Sequence, residues 1–345
     1  MSETCAILVN VNTWADTLEC LESLLRADAR PTSVIVVDNG SRDGSVERIL
    51  AFARGRYPSA ALALPGDPLP APCDMPAFVL LALPENLGCG RGNNAGLEYA
   101  LACGEHRFFW VLNSDVAVAP QCLASLLEEA RKRPTAGVFG ASVLKWAKGA
   151  SGQDELECAG GCRYLPWATM TLPAYGGQSL RAALGKPDPR LEYILGASFF
   201  VRREVLRAVG LFSTDTFLYY EEADLCLRAR RAGFALAWSR DAVVRHKGGR
   251  ALAAACPDPL WRKRVANYHE NLGALRFTRS HYPGLLPVAF AFRFLGKLAV
   301  LCGRGELALT GALFAAYRDF LLGRPPNSQG PGPCPGSPSG PSWGL

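Results

Sequence analysis

Short apolar runs alternate with amphipathic stretches through the first part of this chain, and that alternation leaves few folds open. Ala6–Asn10 reads as a buried strand, after which Leu18, Leu21, Leu24 and Leu25 recur at helical spacing. Ser33–Val37 is a second strand running into Asp38-Asn39-Gly40, and Val46–Phe52 is a second helix. Phe78–Leu83 with a helix near Asn94–Ala102, and Phe108–Leu112 with a helix over Pro120–Lys132, repeat the unit. This repetition predicts an α/β fold, a mostly parallel central sheet flanked by helices. Ligands of such sheets collect at the carboxyl ends of the strands. Asp38, the Gly88 loop and Asp115 all fall at that edge.

At 345 residues and 49% hydrophobic content the chain has room for one large domain and an appendage. The net charge of +6 is placed unevenly. Residues 1–257, the expected catalytic domain, hold 27 residues of each sign. Residues 258–324 hold ten Lys/Arg against four Asp/Glu, which points to an anionic surface or substrate. Nothing else suggests nucleic acid. Two stretches there, 285–301 and 307–322, are strongly apolar, yet Arg293 and Lys297 stand four apart on one helical face. That spacing predicts an amphipathic helix in a membrane interface, with a helical hairpin packed on the domain as the alternative. Residues 325–345 are uncharged, rich in Pro, Gly and Ser, and expected to be disordered.

No basic segment precedes the first strand, so no signal peptide is predicted. The twelve cysteines are scattered and are expected to be reduced thiols in the cytoplasm. Cys158 and Cys162 have the spacing of half a zinc site, but no second pair lies nearby. Residues 145–195, with Trp146, Tyr164, Trp167 and Tyr175 among turn residues, fit either an acceptor-facing insertion or plain packing.

The densest chemistry is Tyr219-Tyr220-Glu221-Glu222-Ala223-Asp224, three carboxylates within four residues opening a helix that should stop at Gly233. Carboxylates this close raise one another's pKa, which makes them candidates for a base; the bland alternative is an acidic first turn that suits the helix dipole. Asp115 ends an apolar strand after Asn113, a position suited to a hard divalent cation, Mg²⁺ or Mn²⁺, with substrate phosphates. Asp38 can accept from a nucleobase or ribose, or simply make an Asx turn. The loop Asn86-Leu87-Gly88-Cys89-Gly90-Arg91-Gly92-Asn93-Asn94 joins strand to helix as phosphate loops do. Asn93 stands where a dinucleotide fingerprint needs its third glycine, so an NAD-dependent oxidoreductase is the weaker reading. His246 and Lys247, after the acidic helix, are candidates for a metal and a phosphate contact.

In order, ILVNVNTW, VVDNGSRDGS, ENLGCGRGNNAG, VLNSDV, GASFFVRREVLRAVGLF, YYEEADLCLRARRAGF and VVRHKGG resemble the inverting family-two glycosyltransferases, in the branch of bacterial rhamnosyltransferases. The resemblance spans residues 5–250, and more loosely Tyr268–Arg324. It implies the GT-A fold, a nucleoside diphosphate sugar as donor and a hydroxyl of a glycan or lipid-linked acceptor. It implies work in cell-surface polysaccharide synthesis, and the basic, apolar C-terminal region predicts docking on the inner face of the membrane, where a lipid-linked acceptor would be presented. Asn12, Asp38, Asn39, Asn86, Gly88, Arg91, Asn94, Asn113 and Lys247 then map to substrate binding. Asp115 and His246 map to a divalent cation, and Glu222 to the base, with Glu221 or Asp224 able to share that role. Asn113 replaces the first aspartate of the metal motif, Glu222 stands where aspartate is usual, and Arg240 where the branch has proline. A non-catalytic sugar-binding homologue is the alternative that these departures leave open.

Overall fold

The computed structural model describes residues 3–71, 74–149, 152–325 and 334. The expected disordered tail therefore lies outside the described residues, apart from Pro325 and Cys334. The first elements are β1 (Thr4–Asn10), α1 (Trp14–Leu25), β2 (Ser33–Asn39), α2 (Ser45–Arg56), β3 (Ala60–Ala63), β4 (Phe78–Leu83), α3 (Cys89–Cys103), β5 (Phe108–Asn113), β6 (Val116–Val118) and α4 (Cys122–Lys132). Next come β7 (Ala136–Lys145), β8 (Leu156–Ala159), β9 (Gly161–Leu165), β10 (Met170–Pro173), α5 (Leu180–Leu184), β11 (Tyr193–Ile194), β12 (Ser198–Arg202) and α6 (Arg203–Val209). The chain then forms α7 (Glu221–Arg231), β13 (Ala235–His246), α8 (Arg250–Ala255), α9 (Pro259–His281), α10 (Leu286–Gly303) and α11 (Thr310–Leu321).

The main sheet runs β3-β4-β2-β1-β5-β12-β7-β13-β6, with β8 paired to β7. The strands from β3 to β5 are mutually parallel, whereas β12 is inserted antiparallel between β5 and β7. Alternate residues of one strand feed two cores. Ile7, Ile35 and Val79 pack with Leu97 of α3, and Leu8, Val36 and Leu80 with Leu21 of α1 and Ile49 of α2. Burial on both faces explains why these strands read as continuous apolar runs. The pairing also sets the edge: Asn10 lies opposite Asp38, and Val9 opposite Asn113.

Residues 145–195 divide between the two expectations. Tyr175 packs on Trp238 and Tyr164 is buried, whereas Trp167 is 48% exposed and meets Phe292 of α10 with ring centres 5.1 Å apart. Arg240 also finds its reason. It lies over the Trp238 ring and ties β13 to the 184–188 turn through Asp188 Oδ1 and the Leu184 and Lys186 carbonyls.

Three helices, α9 to α11, form a layer of their own, and here two expectations are corrected. Arg293 and Lys297 do not face outward to lipid headgroups. Arg293 is 4% exposed and donates to Asn271 Oδ1 (2.7 Å), to Thr169 O and Oγ1 (3.0 and 2.9 Å) and to Glu270 Oε1 (3.0 Å). Lys297 donates to Glu270 as well. A guanidinium has five donors in a fixed fork, and this pocket supplies the acceptors, so the charge turns inward. The cysteines are not all free either: Cys256 and Cys334 form a disulfide next to Trp261 and Val265.

Removing a buried charge from such a network strands its partners. Arg293→Ala should lower unfolding free energy by about 3 kcal/mol, and Lys297→Ala by under about 1 kcal/mol, in chemical denaturation.

Candidate active site

The helix that carries the carboxylate cluster starts from a constrained turn. Tyr219 and Tyr220 both have positive φ, 70° and 74°, a left-handed conformation that side chains other than glycine rarely adopt. Rings hold them there. Tyr220 meets Phe277 and Tyr164 at centroid distances of 5.5 and 6.1 Å, and a Cβ on Gly273 of α9 would lie only 3.0 Å from Tyr220 Cδ2. The turn sets Glu221 and Glu222 side by side at the start of α7. One carboxylate oxygen of each is buried without a hydrogen-bond partner. Burial, followed by the neighbouring Glu221 charge, pushes Glu222 up to about 8. Burial also raises Glu221, against a hydrogen bond with Cys89 that lowers it. Gly196 lies beside this carboxyl, where a Cβ would sit 3.6 Å from Glu222 Oε1 in ordinary contact.

Asp224 departs from the expected shared role. Its carboxylate faces away to Arg228 (2.5 Å) and to His281 Nε2 of α9 (2.6 Å). Burial alone would raise its pKa, but these two partners hold it below the ordinary value. One helical turn separates Asp224 from Arg228, so the pair closes on its own helix.

A second group forms where β5 and β13 end. His246 Nε2 lies 3.3 Å from Asp115 Oδ1, and the Asn113 amide lies 3.2 Å from the same nitrogen. The other ring nitrogen, Nδ1, meets Glu157 Oε2 of β8 at 2.8 Å. Burial opposes the charge on His246, but hydrogen bonds to Asp115 and Glu157 outweigh it and push the imidazole up to about 9. Burial likewise opposes ionisation of Asp115, and His246 reverses that, leaving it low. Glu157 escaped sequence reasoning, since nothing in Glu155-Leu156-Glu157-Cys158 marks it before β8 is paired with β7. In the absence of an ion this carboxylate and imidazolium pair through a proton, and a divalent cation would have to displace that proton. Two ligands on one Mg²⁺-type ion, with bonds of about 2.1 Å at right angles, stand about 3 Å apart. A carboxylate behind the far ring nitrogen is the usual support of a metal-bound histidine. The residues fit a divalent ion, though no group of three or more His, Cys, Asp or Glu able to hold a metal occurs among the described residues. Substrate oxygens would have to complete the coordination.

The third group is built on asparagines. Asp38 is 1% exposed, accepts from the Ser41 amide (2.9 Å) and from Asn10 Nδ2 (2.8 Å), and is raised by burial. Asn10 is a second residue that sequence reasoning missed. It also accepts from Thr13 and Thr17, and Thr13 Oγ1 lies 3.5 Å from Ser114 Oγ beside Asp115. Asn12 stays at this rim, its Oδ1 accepting from the Arg42 amide. Through Asn113, whose amide donates to Ala197 O (3.4 Å), the rim continues to Gly196 and Glu222.

Other expected contacts have internal partners. Asn39 donates to Asn86 Oδ1 and Gly88 O and accepts from Leu87 N, which folds the glycine loop. Asn94 clamps both backbone groups of Phe212. Gly88 does not face a phosphate. A Cβ there would lie 2.5 Å from Phe217 O, and that carbonyl already accepts from the Cys89 amide at the start of α3 (2.8 Å). Lys247 is held by Asp16 and Glu19, at 2.6 Å each, rather than open to a phosphate. Arg91 is exposed.

Residues 5–149 match the family described as Glycosyl transferase family 2. The chain carries a family 2 glycosyltransferase domain. The chain is 29% identical over 249 residues to the N-acetylglucosaminyl-diphospho-decaprenol L-rhamnosyltransferase of Mycobacterium tuberculosis, covering 66% of this chain and 70% of the relative. It superposes on a mannosyltransferase of Pyrobaculum calidifontis, solved with GDP-Man and Mn²⁺, with a TM-score of 0.51 and 18% identity over 93% of this chain and 87% of the other. It superposes on S. aureus TarS 1-349, solved with UDP-GlcNAc, at a TM-score of 0.50 and 15% identity over 94% and 93% of the two chains. The fold is GT-A, as the motifs implied.

Two outcomes test the geometry. The fold prefers neutral Glu222, so it binds a proton on folding and loses stability as pH rises from the ordinary carboxylate range to about 8. Glu222→Gln should flatten that slope in thermal melts, gaining most at the alkaline end. Asp224→Asn should cost about 1–3 kcal/mol of stability while turnover stays within about tenfold of the parent.

Proposed function

We propose that the glycosyltransferase moves a sugar from a nucleoside diphosphate donor to a hydroxyl of a lipid-linked glycan, with inversion at the anomeric carbon, in cell-surface polysaccharide synthesis. The observation that carries this reading is Glu222. It is a half-buried residue whose Oε2 is buried without a partner, it is raised to about 8, and it is joined through Gly196, Ala197 and Asn113 to the Asp115–His246 pair. A base needs a pKa near the working pH and an open lone pair, and Glu222 has both.

Glu222 takes the proton of the acceptor hydroxyl as that oxygen attacks from the face opposite the diphosphate. Glu221, next to it and also raised, keeps Glu222's proton affinity high. Asp115 and His246 would hold a divalent cation, Mg²⁺ or Mn²⁺, whose chemistry is to offset charge on the departing diphosphate. Asn113 steadies His246, and Glu157 fixes the ring. Asp38 and Asn12 line the nucleoside end of the rim. The mycobacterial relative, whose name specifies a decaprenol-linked acceptor and L-rhamnose, supports a dTDP-rhamnose or UDP-sugar donor and a polyprenyl-linked acceptor. On this reading the work is done at the cytoplasmic face of the membrane.

The direct experiment mixes the purified chain with nucleotide sugars, Mn²⁺ and a polyprenyl diphosphate sugar, and follows release of nucleoside diphosphate. Glu222→Gln should slow turnover by roughly 10²–10⁴ with donor affinity retained. Glu221→Gln should change it far less. Full turnover in the Glu222 variant removes the base assignment.

A further inference from the structure

Helix α10 is built inside out. Its cations, Arg293 and Lys297, point into the protein. Its outward face carries Val288 (54% exposed), Phe292 (45%), Leu295 (64%) and Val300 (47%), with only Pro, Ala, Gly and Cys between them. From Pro287 to Gly303 the only charged side chain that reaches solvent is Lys297, 30% exposed and paired with Glu270. Pro283–Gly303 has a mean hydropathy of 1.8 with 17% of its window buried. Two neighbours widen the face. Trp167, from the β9–β10 turn, rests on Phe292, and Phe314 of α11 is 53% exposed with its ring against Phe294. Isolated exposed leucines are ordinary, whereas a continuous apolar face on three elements marks an interaction surface.

The surface is held as one piece. Arg293 of α10 donates to Thr169 of the turn that bears Trp167, and to Asn271 and Glu270 of α9. Its guanidinium also lies beside the Tyr220 hydroxyl, two residues before Glu222.

We infer that this face is a membrane-insertion surface, with α10 lying in the plane of a bilayer and its apolar side below the headgroups. The inference rests on the lipid-linked acceptor proposed above, and it replaces attraction to headgroups with apolar burial as the source of binding. The occupant is chosen by charge. Arg293 and Lys297 aside, residues 258–324 still hold eight Lys/Arg against four Asp/Glu, and exposed Arg304 follows α10 directly. A second copy seated on the same face would bring like charges together, whereas an anionic leaflet complements them. The helix does not span the bilayer, because Arg293 and Lys297 near its middle are committed to Glu270 and Asn271 of the same layer. Lying flat, it would set the acceptor sugar at headgroup height next to the turn that presents Glu222.

Flotation of the full chain with phosphatidylcholine vesicles, with and without phosphatidylglycerol and at low and high salt, tests this. The parent should float with both compositions and stay bound at high salt. Phe292→Glu combined with Leu295→Glu should lower binding at least about tenfold. The same variant should keep its melting temperature and its metal-dependent hydrolysis of the donor within about twofold. A parent chain that stays at the bottom, or floats only on anionic vesicles at low salt, overturns the inference. So does a dimer in analytical ultracentrifugation that the double variant disperses, which would give the face to a second copy. Flotation needs no turnover: a chain that floats but never releases nucleoside diphosphate overturns the proposed reaction and leaves this surface standing.

Discussion

Two adjacent carboxylates, buried and short of donors, are the most costly feature of this molecule, and much of the structure near α7 exists to hold them. Burying an unpaired acid costs free energy unless it keeps its proton, and the raised Glu222 is that compromise. The cost is sustained by rings and by a second layer of helices. Tyr219 and Tyr220 share a left-handed turn in which Phe277, Tyr164 and the bare backbone at Gly273 pack the Tyr220 ring. Helix α9 thus belongs to the site as much as the sheet does, although it touches no expected substrate contact.

The opposite end of the rim follows a different strategy. Asparagines, rather than charges, organise the carboxyl ends of β1, β2 and β5. Asn10, Asn39, Asn86 and Asn94 each satisfy donors and acceptors of loops that would otherwise have to find water. Polar groups of this kind give the loops one conformation without adding charge beside Asp38 and Asp115.

The strands and most helices of the first half were legible because two-sided burial writes itself as unbroken apolar runs, and the turn residues between them are strong signals. The helix from Glu221 to a stop near Gly233 was equally plain. The strands β7 and β13 were not, since their partners are distant in sequence and β13 carries Ser239, Arg240 and Asp241 in its middle. Charge was the least transferable signal. Asp224, Lys247, Arg293 and Lys297 looked available, but each meets an opposite charge brought in by folding. The glycines of the Gly88 loop also serve packing that the sequence does not announce: Gly88 and Gly90 admit the backbone of Phe217 and Ser213, and Gly92 lies against Asn39 and Val9. The Cys256–Cys334 link could not be read from scattered cysteines separated by 78 positions.

That packing of residues 213–217 has a mechanical side. The carbonyl of Phe217 plugs the amide end of α3, and four residues later the chain becomes Glu221. A substitution that displaces the Phe217 carbonyl would therefore leave the Cys89 amide open and shift the carboxyl pair with it.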